Sequence, residues 1–138
     1  MWKCPRCGVK LLARNLSHSC GDHSIAKFLR GKDRKLFDRF VALIAACGAY
    51  DVAPAKTRVA FMAKVRFASV NRIGDGFIDV HFVLPRVVKS PRFRRVEHLG
   101  KLHVHHLRLS TAREFDAELK RWLRESYREY GQRGWLEQ

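Results

Sequence analysis

The spacing of apolar residues changes along the chain, and this change limits the folds that the sequence can adopt. Between Asp33 and Gly48, apolar side chains recur every three or four residues, which predicts an amphipathic helix with one face on a core. From about Val52 the apolar period becomes two, which predicts β-strands. The predicted strands cover residues 57–62, 64–70, 76–84 and 101–109.

Helical patterns flank these strands on both sides. A short helix is predicted from Ser24 to Arg30, and a longer one begins at Ser110 or Thr111 and ends at Gly131. Strands joined by hairpins pair antiparallel, so this order predicts the α+β class: an antiparallel β-meander of about four strands with helices packed on one face, plus an N-terminal zinc knuckle. The predicted organisation is a zinc-knuckle head at residues 1–22 and an α+β domain at residues 23–138.

The first residues of the chain include the side chains that zinc prefers. Cys4 and Cys7 are three residues apart across a proline turn, so both thiolates can bind one ion. Cys20 is a third ligand, and the fourth is either His18 or His23. Four protein ligands leave no open position, which indicates a structural Zn²⁺ ion. The alternatives are free thiols or a redox pair, and the lack of a βαβ pattern around the cysteines disfavours the redox pair.

Positive charge dominates the composition. The chain has 28 Lys and Arg against 13 Asp and Glu, a formal net charge of +15. Such an excess favours polyanionic partners, with nucleic acid, DNA or RNA, first among them. Much of the excess lies in residues 1–35 and 85–110, whereas the C-terminal helix is balanced.

The basic stretch after Pro85 shows no strand periodicity and is predicted to be an irregular loop. It places an aromatic ring among guanidinium groups, a combination that suits phosphate contacts and base stacking. The alternative is a solvated loop whose Phe93 packs on the core. The candidate nucleic-acid contacts are Arg86, Lys89, Arg92, Phe93, Arg94 and Arg95.

Alternation along the predicted strands divides their residues between two faces of the sheet. Apolar side chains, among them Phe61, Val80, Leu102 and Val104, are assigned to the helix-covered face. The other face is polar. Together with the neighbouring Lys56, it forms a candidate surface for binding an anion or a metal, or for acid–base chemistry. An ordinary solvated face is the alternative. The candidate anion or ligand residues are Lys56, Arg58, Arg66, His81, His103 and His105.

His106 breaks this alternation. Either a β-bulge lies near His105 and His106, or His106 points inward and is satisfied by a hydrogen bond. A bulge would shift the register so that Leu107 and Leu109 face the core.

The sequence leaves three functional hypotheses. The preferred one is a zinc-containing module that binds nucleic acid or another polyanion through its basic surfaces. The second is an enzyme, or a binder of a small anionic ligand or metal, that uses the polar sheet face, although the sequence has no GxSxG, Walker, GxGxxG or HExxH motif. The third is a protein-interaction scaffold. Because no long apolar run and no secretory leader is recognised, we expect a cytoplasmic protein.

Several blocks of the sequence resemble a bacterial domain-of-unknown-function family with a CPxCG…HSC head on a small α+β domain. The resemblance is carried by WKCPRCG, NLSHSCG, LFDRFVALI, PAKTRVAF, RFASV, PRFRR and HVHHLRL. It favours His18 over His23 as the fourth zinc ligand, because the HSC block contains His18. It implies no activity. The candidate residues that lie within its motif blocks are Lys56, Arg58, Arg92, His103, His105 and His106.

The zinc prediction can be tested by removing the metal. A strong chelator should lower the Tm of the purified chain, because the free energy of metal binding adds to the stability of the folded state. Cys47→Ala is the matched control, since Cys47 lies in a predicted helix with no ligand partner nearby and its loss should leave the chelator effect unchanged. A Tm unaffected by chelation, together with no zinc in elemental analysis, would contradict the prediction.

Overall fold

The computed structural model describes residues 2–3, 10–11 and 24–133, whose elements run from helices through a sheet to a final helix. The helices are α1 (Ile25–Leu29), α2 (Lys35–Cys47) and α3 (Ala117–Ser126). Two short strands, β1 (Trp2–Lys3) and β2 (Lys10–Leu11), pair with each other. The longer strands are β3 (Asp51–Pro54), β4 (Val59–Met62), β5 (Arg66–Gly74), β6 (Phe77–Leu84), β7 (Phe93–Leu99) and β8 (Leu102–Leu109).

Strands β3 to β8 form one antiparallel sheet with the spatial order β3-β4-β5-β6-β8-β7. The α+β class and the antiparallel pairing are therefore confirmed. The sheet has six strands where the periodicity predicted about four, and the two additional strands, β3 and β7, lie at its edges. Of the zinc knuckle predicted at residues 1–22, only the paired strands β1 and β2 lie among the described residues, and its predicted ligands lie outside them.

The basic stretch predicted to be an irregular loop contains β7. Its apolar residues Phe93, Val96 and Leu99 are three apart, so the strand shows no period of two. A register shift between Phe93 and Arg95 explains the interval from Phe93 to Val96, because a bulge adds one residue to the strand, whereas Leu99 lies on the face of the sheet opposite to Val96. Strand β3 was missed because it is only four residues long and contains Pro54, a residue confined to sheet edges and strand ends.

All three helices pack on one face of the sheet, here called the core face, and the opposite face is called the outer face. Phe82 of β6 lies at the centre of the core and is fully buried. Its ring stacks on Trp122 of α3 with centroids 6.1 Å apart. In the described residues, no helix is long and apolar enough to span a membrane. Helix residues buried on the core face are Phe28, Leu29, Phe37, Phe40, Ile44, Leu119, Trp122, Leu123 and Tyr127.

The C-terminal helical region begins as predicted but is divided into two parts. Thr111 and Glu114 form a capping box around a single 3₁₀ turn, Ala112–Glu114. Helix α3 starts only after Asp116, whose carboxylate accepts the Leu119 N–H at 3.0 Å. An aspartate at this position is a strong N-cap, so it starts a new helix instead of continuing the first turn.

The end of α3 is joined tightly to β5 and β6. Ser126 Oγ lies 2.6 Å from the Val83 carbonyl oxygen and 3.1 Å from that of Phe67. A five-residue π-helical turn, Tyr127–Gly131, follows. A glycine is required at its end, because a Cβ on Gly131 would come within 2.9 Å of the Phe67 ring. These contacts hold the helical layer against the middle of the sheet.

Phe82→Ala tests the position of the core. The substitution should lower the free energy of unfolding by about 3–5 kcal/mol, because it leaves a cavity among Phe93, His105 and Trp122. Urea unfolding followed by circular dichroism measures this loss. Val87→Ala is the control and should change stability by less than about 0.5 kcal/mol, since Val87 is exposed. A loss below about 1 kcal/mol for Phe82→Ala would show that this core is wrongly placed.

Candidate functional site

An open groove of about 870 Å³ lies on the outer face, across β5, β6, β8 and β7. Guanidinium groups outnumber carboxylates along it. The groove arginines are Arg58, Arg72, Arg94, Arg95 and Arg108. The other polar residues along it include Thr57, Asn71, Asp79, His81, Glu97 and His106.

The pairing of β6 with β8 decides which histidines reach this groove. His81 lies directly opposite His106, whereas His105 lies opposite Phe82 and His103 opposite Leu84. The predicted placement of His103 and His105 on the outer face is therefore wrong. The β6–β8 register is continuous, so no bulge interrupts this pairing at His105 and His106, and His106 does not point into the core.

The residues of β8 were assigned to the wrong faces of the sheet because this strand carries apolar residues on both faces. Leu102 and Val104 suggested that the even-numbered residues of β8 face the core. Leu107 and Leu109 are fully buried, and they show that the odd-numbered residues face the core instead. Val104 lies on the outer face, opposite Val83. Strand ends are weaker guides to register than the apolar residues that pair with the centre of the sheet.

His105 is a buried part of the core. Its ring stacks on Phe82, 5.9 Å away and nearly parallel, and contacts Phe93 edge-on. Nε2 accepts the Val88 N–H at 3.0 Å, so the ring proton is on Nδ1, which donates to the His103 carbonyl oxygen at 3.0 Å. Burial lowers the pKa of His105, which keeps the ring neutral. Both nitrogens are thus used by the fold.

His81 ends a chain of hydrogen bonds that begins at the buried Ser69. The Ser69 hydroxyl lies 3.0 Å from Asn71 Oδ1, and Asn71 Nδ2 donates to His81 Nδ1 at 2.8 Å. This direction leaves the ring proton of His81 on Nε2. Burial, followed by the nearby His106 and Arg58, lowers the pKa of His81 to about 4. His81 is therefore a neutral N–H donor, and no described residue accepts a hydrogen bond from its Nε2.

His106 is held by a carboxylate next to His81. Its Nε2 lies 2.5 Å from Glu97 Oε1, and its ring centroid is 5.2 Å from that of His81. The hydrogen bond from His106 lowers the pKa of Glu97. Glu97 also pairs with Arg95 at 3.3 Å. A carboxylate that orients an imidazole can hold a proton at a fixed place in the groove.

The groove arginines differ in how far their charge is balanced. Arg108 donates two hydrogen bonds to Asp79, at 2.7 and 3.0 Å, and lies over the Phe77 ring. Arg58, Arg72 and Arg94 have no acidic partner among the described residues, and all three are exposed. The groove therefore carries unbalanced positive charge at these three positions.

Several predicted nucleic-acid contacts are instead used by the fold. Arg86 donates two hydrogen bonds to Glu125. Arg92 donates to Asp116, to Glu118 and to the Glu114 carbonyl oxygen, and it lies over the Trp122 ring.

Phe93 packs on the core, as the alternative interpretation of the basic stretch proposed, with its ring 4.8 Å from that of Trp122. Only Arg94 and Arg95 of the predicted contacts line the groove. Lys89 is exposed in the segment before β7.

The remaining predicted site residues are dispersed. Lys56 is exposed in the turn between β3 and β4, and Arg66 pairs with Met62 at the start of β5. The predicted zinc ligands lie outside the described residues. Within residues 24–133, no group of three or more His, Cys, Asp or Glu side chains could hold a metal ion. Those zinc candidates are Cys4, Cys7, His18 or His23, and Cys20.

Sequence reasoning missed His106, Glu97, Asn71 and Arg108 as groove residues. His106 and Arg108 follow from the correct phase of β8, which the buried Leu107 and Leu109 could have indicated. Glu97 required β7 to be recognised as a strand. Asn71 reaches His81 because the β5–β6 register shifts between Val70 and Arg72, and no sequence pattern signals that shift.

The low pKa of His81 predicts a specific pH dependence of stability. An unfolded histidine titrates near pH 6.5, so between about pH 6.5 and 4 the unfolded chain binds a proton that the folded chain does not. Stability should therefore fall as the pH falls through this window, by about 2–3 kcal/mol from pH 7 to 4.5.

Urea unfolding of the wild type and of His81→Gln at both pH values measures the effect. The loss between the two values should be smaller in the variant, because the shifted group is gone. Equal losses in the two proteins would contradict a neutral, buried His81.

Comparison with known proteins adds a family but no activity. No curated protein and no solved structure matches the sequence. The model of a family described as a domain of unknown function (DUF5655) matches residues 25–129, a range that contains α1 to α3 and the whole six-stranded sheet. This match agrees with the resemblance seen in the sequence, whereas the predicted zinc head lies outside the matched range. The chain belongs to the DUF5655 family.

Proposed function

We propose that the protein binds a polyanion in the groove of the outer face, with nucleic acid as the favoured class. The observation that carries this proposal is the unbalanced positive charge of Arg58, Arg72 and Arg94, beside further arginines on a sheet face that no helix of the described residues covers. Guanidinium groups bind phosphate oxygens through two parallel hydrogen bonds, and an open groove admits a chain longer than itself.

The contacts in the groove favour phosphates over bases. Phe93, the aromatic residue expected to stack on bases, is part of the core, and Phe77 is covered by Arg108 and lies near Arg72. With these rings unavailable, base stacking on the described residues contributes little. Binding should therefore depend on the backbone charge, with little preference for sequence and a steep dependence on salt.

The proposal also assigns a part to the N-terminal segment. Residues 1–22 carry four Lys and Arg against one Asp, and a structural Zn²⁺ ion held by Cys4, Cys7, Cys20 and His18 would give this segment a fixed conformation. A folded basic head would add phosphate contacts to those of the groove.

A small anionic ligand is a second candidate, and the environment of His81 supports it. Its Nε2–H has no acceptor among the described residues, and it lines the groove together with Arg58. The groove volume of about 870 Å³ falls within the usual range for small-molecule sites. Such a ligand would carry a phosphate or carboxylate that accepts hydrogen bonds from both His81 and Arg58.

Replacing two of the three unpaired arginines tests the proposal. Arg58→Gln/Arg94→Gln should weaken binding of a fluorescent 20-nucleotide single strand by about tenfold at low salt, and lower the salt slope of log K by about 1.4, as loss of two phosphate contacts requires. Fluorescence anisotropy titrations at several salt concentrations measure both quantities.

The control carries the same change of charge on the opposite side of the molecule. Arg121→Gln/Arg128→Gln removes two exposed arginines from the helical layer and should leave affinity and slope nearly unchanged. An equal loss in both double variants would show that net charge alone, not the groove, governs binding. The small-ligand candidate would be favoured if a free mononucleotide bound as tightly as the 20-nucleotide strand and affinity did not depend on strand length. Failure of the wild-type chain to bind any DNA or RNA at low salt would contradict the polyanion proposal.

A further inference from the structure

We propose that His98 and His103 form a binding site for a divalent transition-metal ion of the copper(II) or nickel(II) class. The two residues lie directly opposite each other on β7 and β8, close to the turn that joins these strands. Their Nδ1 atoms are 2.8 Å apart. The pair is distinct from the outer-face groove, because its register places it on the other face, opposite Leu84.

The geometry of the pair suits a metal ion. At 2.8 Å, one Nδ1 donates a proton and the other accepts it, so the two ring nitrogens face each other across the hairpin. Both Nδ1 atoms would bind one metal ion after the rings turn slightly and the shared proton moves to Nε2 of its own ring. Both Nε2 atoms would then carry hydrogens, and they have no hydrogen-bonding partner among the described residues.

The ligand set indicates the class of metal. Two imidazole nitrogens, with water in the remaining positions, make a mixed nitrogen and oxygen set of the kind that copper(II) and nickel(II) take. Zinc sites in proteins usually have three or four protein ligands. The site therefore favours copper(II) and nickel(II) over zinc.

The hairpin holds the two histidines in this arrangement before any metal binds. Leu99 pairs with Leu102, so only Gly100 and Lys101 form the turn, and Gly100 adopts the positive φ of 64° that such a turn needs. The backbone of His103 is fixed further, because its carbonyl oxygen accepts a hydrogen bond from His105. Little conformational entropy remains to be lost on binding.

The pair supplies two ligands, and no third His, Cys, Asp or Glu joins it among residues 24–133. The remaining positions of the ion would be filled by water or by an exchangeable ligand. Such a site binds reversibly, in contrast to the closed four-ligand zinc site predicted for the N-terminal head. The two metal sites would therefore differ in ligand chemistry as well as in lability.

Titration of the full chain with nickel(II) tests this site. The protein is first saturated with zinc, so that the thiols of the predicted head are occupied, and nickel binding is measured at pH 7.5 by isothermal calorimetry. The wild type should bind one equivalent at this site, and His98→Gln or His103→Gln should each weaken that binding by about tenfold or more, because one of two nitrogen ligands is lost. His106→Gln should bind nickel as the wild type does.

Two results would overturn the proposal. One is the absence of nickel binding by the wild-type chain under these conditions. The other is wild-type affinity and stoichiometry in His98→Gln/His103→Gln, which would assign the nickel to other residues. Unchanged thermal melting curves of the variants without nickel show that a loss of binding is not a loss of fold.

Discussion

The pairing of β6 with β8 is the interaction on which both sides of the sheet depend. Because side chains alternate along a strand, one register places His105 against Phe82 in the core and His106 against His81 in the groove. A shift of one residue would exchange these environments, burying Arg108 and exposing Leu107 and Leu109. The cost of burying a guanidinium that now pairs with Asp79 makes the observed register strongly preferred.

The arginines divide into those that hold the fold together and those that remain available to a ligand. Arg92 is half-buried and joins the segment before β7 to the start of α3 through Asp116 and Glu118. The charge of such a side chain is already balanced, so it has little to offer an external anion. Arg58, Arg72 and Arg94 have no such partner among the described residues. The net charge of the chain therefore overestimates how many basic residues can bind an anion. The residues that can do so are those whose charge no nearby carboxylate balances.

The sequence was sufficient to predict α2, the strands β4 to β6 and the α+β class, because their apolar residues follow one clear period. It also indicated Arg58, His81, Arg94 and Arg95 as candidates on a basic surface. It did not indicate β7, since a bulge hides the alternation, or the phase of β8, since apolar residues occur on both of its faces. The Glu97–His106–His81 cluster depends on both of these features. The cluster is formed by cross-strand contacts, which single-strand periodicity does not specify.

Strand β7 links the core, the groove and the histidine pair in a single edge element. Phe93 anchors one end among Phe82 and Trp122, Arg94 and Arg95 line the groove, and His98 faces His103 at the other end. An edge strand pairs on one side only, so its local opening costs less than that of a central strand. An anion bound by Arg94 would favour the paired state of β7, as would a metal ion shared by His98 and His103. Each ligand would then stabilise the strand that the other needs, and the two sites would be coupled through β7 without any contact between them.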